Sequence, residues 1–331
     1  MPQLAREGLP AAQRYLAIAP SSPHALHMPG HIFARLGMWP EDIASNQASA
    51  RASEEAAREG KGGASHELHA YEFLLYAYLQ EADDADARRI VEDTPALIAR
   101  LRKIPGIESD GMISFAPAFQ MEASGIYRLE FGDNIAALAI EPDKTDNYAR
   151  EEADWVHAIA AGRLRNPAAA EAAQADAANI FAQRRKVNPS AYGLTVMKIP
   201  EGTISAWASF ANHKDADALR EIAATADLQD RFGQNEVDIR VREMYGDMLL
   251  MDSRPADALV QYRTSLANSP NRFNGLFHAA QAAEQTGDAA AALGFYGQLL
   301  TVTHNGTHSN RPELAHARQY LAAHNKTVSH R

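Results

Sequence analysis

Five histidines fall in two short stretches, His24-Ala-Leu-His27-Met-Pro-Gly-His31 and His66-Glu-Leu-His69. Imidazole is the commonest side-chain metal ligand and the group most ready to move a proton near neutral pH. Spacings of three and four residues put such groups on one face of a helix. At ~100° per residue, His24, His27 and His31 share an arc of about 60°, and His66 shares a face with His69. If the two helices lie side by side, their stripes converge and offer three or four nitrogens, enough for zinc or copper. His27, His31, His66 and His69 are therefore candidate metal ligands. Glu72, one turn beyond His69, and Tyr76, near the same face, add a carboxylate and a hydroxyl. With His24 they form a candidate ligand-binding set, and together these parts suit general acid–base chemistry or a metal-activated water. The spacing lacks the glutamate of a His-Glu-x-x-His helix, so the same residues admit a plainer role as packing or peptide-contact groups, and enzyme activity stays undecided. Pro29 leaves two geometries open. Inside a helix it frees the Ala25 carbonyl and introduces a kink that aims His27 away from His31. Alternatively the helix begins near Met28 and leaves His24 and His27 in the approach loop.

The elements that must position these groups are helices. Apolar residues recur at helical intervals and strand-like alternation is nearly absent. Gly246, Ala258 and Tyr262 are followed, each 34 residues downstream, by Ala280, Ala292 and Tyr296. A period of that length is the signature of stacked helix pairs. The small residues mark helix crossings, where a larger side chain would push the axes apart. Helix pairs are expected at residues 238–251 with 255–267 and 272–286 with 289–301, with Pro255 at a helix start and Ser269-Pro270 closing a unit. Residues 312–324 read as a capping helix. The middle reads as looser pairs, 112–130 with 134–140, 149–164 with 168–185 and 203–212 with 216–224. Lys186 to Gly202, rich in punctuation, reads as a bend between two halves. Residues 9–20 read as the second helix of a pair whose first is missing, which leaves an unpartnered flank able to make a homo-oligomer and implies a fragment or shortened relative of a longer array.

The small and aromatic positions, with the terminal Pro270, resemble the tetratricopeptide repeat pattern. Gly30, Gly37 and the Trp39-Pro40-Glu41 turn fit one more such repeat, and Leu75, Ala82 and Ala87 another. The resemblance implies an all-α, right-handed α-solenoid of helix-turn-helix repeats, degenerate in the middle. It divides into His-rich N-terminal repeats (1–103), degenerate repeats (104–230) and C-terminal repeats with a cap (231–331), in one continuous array. It also implies a concave groove for a peptide, protein or small molecule, lined here by the first-helix histidines. The segments HALHMPGHIFARLGMW and HELHAYEFLLYAYLQ resemble a group of bacterial tetratricopeptide proteins that brings no settled activity with it. In that group a preceding helix also carries histidines, so a site built from three helices would be incomplete in this chain.

Bulk composition narrows the partners. With 32 Lys and Arg against 42 Asp and Glu, the net charge of −10 repels a phosphate backbone, which argues against nucleic acid. There is no cysteine, so disulfides, thiolate sites and cysteine nucleophiles are excluded. No apolar run approaches the ~20 residues that span a bilayer and no secretory signal opens the chain, giving an expectation of a soluble, by default cytoplasmic, protein. His304, His308, His316, His324 and His330 near the C-terminus read as exposed polar loop and helix positions. Trp39, Trp155 and Trp207 read as core anchors.

Overall fold

Alanine and leucine at helical spacing give helices from end to end. The computed structural model of the chain describes residues 2–15, 18–233, 235–307 and 309–328, and among these no strand occurs. The helices run α1 (Pro2–Tyr15), α2 (Pro23–Leu36), α3 (Trp39–Arg58), α4 (His66–Glu81), α5 (Asp84–Leu101), α6 (Gly111–Ser114), α7 (Ala116–Glu130), α8 (Asn134–Leu138) and α9 (Asn147–Arg163). They continue with α10 (Pro167–Val187), α11 (Ala191–Ala211), α12 (Asp215–Phe232), α13 (Val241–Met251), α14 (Pro255–Asn268), α15 (Phe273–Gln285), α16 (Ala289–Val302) and α17 (Pro312–Val328). None is long and apolar enough to cross a membrane. The chain forms two compact units, Met1–Ile107 with Leu249–Arg331, and Glu108–Met248.

In the first unit each helix packs on its successor from α1 to α5 and from α14 to α17, and α2 also touches α4. First helices of consecutive pairs thus lie side by side, which is the arrangement that lets their residues face one another. The small and aromatic repeat positions are the crossings: Ala258, Tyr262, Ala280, Ala292 and Tyr296 are all fully buried. Trp39 is buried and its indole donates to the Asn271 carbonyl at 2.8 Å, while the Asn271 amide donates to the Gly37 carbonyl. Gly37 has φ +64° and its α-carbon faces the Pro270 carbonyl closely enough that a Cβ would collide with it. A glycine is therefore required there on two counts. The N-terminal pairs thus touch the C-terminal ones as well as their neighbours in sequence.

Helix α2 begins at Pro23, capped by the Ser22 hydroxyl and closed by Gly37, so Pro29 lies within it. The inner face of α3 is polar: Asp42, Ser45, Asn46, Ser49 and Ser53 are all fully buried. Their spacing of three and four residues forms one stripe, and two of its hydroxyls, those of Ser45 and Ser49, bond α2. Ser49 donates to the Pro23 carbonyl at 2.8 Å and Ser45 to the Leu26 carbonyl at 2.5 Å. These carbonyls flank Ala25, whose own helical partner Pro29 has no N–H to give.

In the second unit α7, α9 and α11 adjoin in series, with α8, α10 and α12 returning against them. Residues 186–202 are not a bend: α11 starts at Ala191 and runs through Pro200. Gly202 there serves packing rather than a turn, because a Cβ on it would collide with the Thr225 hydroxyl on α12. Trp155 and Trp207 are buried in this unit. At the front, residues 9–15 are likewise not a separate helix but part of α1, which extends from Pro2 to Tyr15 with Pro10 inside it, while Leu16 and Ala17 lie outside the described residues.

Candidate metal centre

Three of the five imidazoles meet. One ring nitrogen each from His27, His31 and His69 lies within 4.8 Å of the others. His27 Nε2 and His31 Nε2 are 2.9 Å apart, and the His27 and His69 ring centroids 4.2 Å. The α2 residues come together because they are one turn apart, and Pro29 between them does not separate them. His69 joins from α4 because α2 and α4 adjoin. Phe73, itself buried and one turn beyond His69, presents its ring edge-on to all three imidazoles at 4.7 to 5.3 Å between centroids and closes the base of the group.

Each imidazole has a defined hydrogen-bonding environment. His69 Nδ1 is 2.7 Å from Glu72 Oε2. The carboxylate accepts the Nδ1 hydrogen, which leaves Nε2 as the nitrogen available to a ligand. His27 Nδ1 is 2.7 Å from Asn46 Oδ1, and the Asn46 amide nitrogen is in turn bonded to Asp42. His27 is 1% exposed. Burial, with the His69 imidazole next in weight, lowers its pKa from 6.5 to about 3, against the upward pull of its bond to Asn46. It is a neutral base at any ordinary pH, which is the form a metal requires. His31 and His69 are half-buried, so solvent reaches the group from their side.

The donor set fits a zinc-type ion. Ligand bonds of ~2.0–2.1 Å in a tetrahedron place nitrogens roughly 3.3 Å apart, so His27, His31 and His69 would hold such an ion after a shift of a few tenths of an ångström between His27 and His31 and an inward movement of His69. Three protein ligands leave a fourth position open.

The other expected residues lie elsewhere. His66 pairs with His24, ring centroids 5.0 Å apart, rather than entering the group of three. Tyr76 is 1% exposed, with its ring against Trp39 and its hydroxyl accepting from Arg272. Near the C-terminus, His304 faces Glu81, His316 faces Glu284 and His324 bonds the Tyr320 carbonyl. His308 and His330 lie outside the described residues. Asn46, Asp42 and Phe73 were not among the residues expected at the site. Phe73 was the easier to find, one helical turn from His69; Asn46 belongs to the polar stripe of α3, which in a sequence looks like a solvated face.

No family model matches this chain, and no curated protein matches it. Among solved structures, the crystal structure of the P58(IPK) TPR domain is similar at 18% identity, over 97% of this chain and 85% of that one, with a TM-score of 0.32. A superposition that loose equates no residue of one chain with a residue of the other, and the helix-pair architecture stands on the packing within this chain.

Proposed function

We propose that this protein is a metal-binding helical-repeat protein that holds one divalent transition ion, zinc by its donor set, on His27, His31 and His69. The observation that carries the reading is the convergence of three ring nitrogens within 4.8 Å. It gains support from the two imidazoles whose second nitrogens are already engaged, by Asn46 and by Glu72. Packing histidines satisfied by a backbone carbonyl, such as His157 on Ile140, have no need of such company. The fourth coordination position is left for an exogenous donor atom from a peptide or small molecule, which gives the repeat scaffold its ligand.

Metal analysis of the purified full chain tests this, with zinc and copper measured together. One zinc per chain is expected, lost in His31→Ala and in His69→Ala while helix content by circular dichroism is unchanged. In the cobalt-loaded protein, added imidazole is expected to shift the visible spectrum by taking the fourth position. A chain that takes up no metal at micromolar zinc, or variants that load as the wild type does, would overturn the proposal.

A further inference from the structure

The convergence of three imidazoles leaves open which nitrogen of His27 carries the hydrogen, and the residues behind it decide that. The Asn46 side-chain nitrogen is 3.0 Å from the Asp42 backbone carbonyl and 2.7 Å from Asp42 Oδ1. A backbone carbonyl can only accept, so the amide nitrogen, the donor, must lie on that side and the amide oxygen on the other. That oxygen is 2.7 Å from His27 Nδ1. An amide oxygen also only accepts, so His27 Nδ1 must carry the hydrogen. The neutral ring has one N–H, and its lone pair is then on Nε2, pointed at His31. Absent a metal, His31 Nε2–H donates into that lone pair across the 2.9 Å between them.

From this chain of donors and acceptors we infer that Asn46, held by Asp42, is the positioning residue that fixes the tautomer of His27 and presents its Nε2 lone pair to the metal. The consequence for affinity rests on the zinc reading above; the tautomer itself does not. The seam is built for the contact. Asn46 and Asp42 are fully buried, and Gly30 on α2 sits over them so closely that a Cβ would come within 2.7 Å of the Asn46 amide nitrogen and 2.8 Å of Asp42 Oδ1. Outer-shell partners of this kind orient a ligand and set its basicity, and their loss costs roughly 10- to 100-fold in metal affinity.

Nitrogen-15 NMR of the metal-free full chain, with histidines labelled, reads the tautomer directly. The wild type is expected to show His27 protonated on Nδ1, Asp42→Asn to keep that state because its amide oxygen still accepts from Asn46, and Asn46→Leu to lose it. Zinc titration against a competing chelator is expected to give roughly 10- to 100-fold weaker binding for Asn46→Leu and near wild-type binding for Asp42→Asn. An Nε2–H tautomer in the wild type, or wild-type zinc affinity in Asn46→Leu, overturns the inference. Should Asn46→Leu fail to fold, the wild-type tautomer and the Asp42→Asn titration decide it. A wild type that shows the Nδ1–H tautomer yet takes up no zinc refutes the zinc reading and leaves the role of Asn46 in orienting His27 standing.

Discussion

Gly30→Ala measures how tightly the metal seam is built. In an ordinary helix interior this change stabilises by ~1 kcal/mol, since alanine gives up less backbone freedom than glycine. Here the new Cβ would lie 2.7 Å from the Asn46 amide nitrogen and 2.8 Å from Asp42 Oδ1. Neither atom belongs to a flexible end that can swing into solvent, because both side chains are fully buried and bonded to each other, and Asn46 is bonded to His27 as well. Moving them far enough breaks one or two buried hydrogen bonds at ~1–3 kcal/mol each, or forces α2 and α3 apart at an overpacking cost of ~1–3 kcal/mol. Net of the propensity gain, the variant should lose about 2 kcal/mol. Gly294 on α16 is the internal control: it lies in the same unit, and nothing approaches its Cβ position within 4 Å. Gly294→Ala should therefore gain up to ~1 kcal/mol. Urea unfolding by circular dichroism gives the two differences, and amide exchange in α2 and α3 assigns the Gly30 loss to that pair. If Gly30→Ala proves as stable as Gly294→Ala, the close seam and the hydrogen-bond chain built on it are refuted.

Glu72→Ala should weaken zinc binding roughly 10- to 100-fold, with Glu72→Gln recovering part of the loss because its amide oxygen still accepts from His69; equal affinities in a chelator competition would remove Glu72 from the site. Tyr76→Phe should cost ~1–2 kcal/mol through the buried Arg272 donor it deprives and leave zinc affinity within about twofold, whereas a large affinity loss would return Tyr76 to the ligand-binding set. Burial, with Asp176 next, lifts Asp154 from 3.8 to about 8. The folded state therefore holds a proton the unfolded chain has released, and stability falls as pH rises between those values. Asp154→Asn should match the wild type near pH 4 and exceed it increasingly towards pH 8, by several kcal/mol at most; a difference flat with pH in denaturation series would contradict this.

Much of this architecture is legible in the residues. The 34-residue period marks the helix crossings, and Ala258, Ala280 and Ala292 are buried there. His27 and His31 follow from one helical turn, and His69 follows once first helices of consecutive pairs adjoin. Spacing alone does not give the axial register of α2 against α4, which sets His66 opposite His24 rather than beside His69. Tyr76 shares a nominal face with His69, yet seven residues carry it about 10 Å further along the helix, to Trp39 and Arg272. Proline misleads in both directions: Pro200 looks like a break but lies within α11, and Pro29 looks like a threat to the His27–His31 pair but is accommodated. The least legible element is the inner side of α3, because serine, asparagine and aspartate at helical spacing usually mean solvent.

That serine-lined side of α3 has a consequence for anyone who would move the three-histidine group into another repeat protein. A proline-containing helix packed against leucines would have no hydroxyls beside its interrupted backbone, and its first histidine would have no amide at its back. The transplantable module is thus the two-helix hairpin of residues 23–58 together with the opposing helix that brings His69, Glu72 and Phe73. Copying the imidazoles alone would transfer the donors without the framework that aims them.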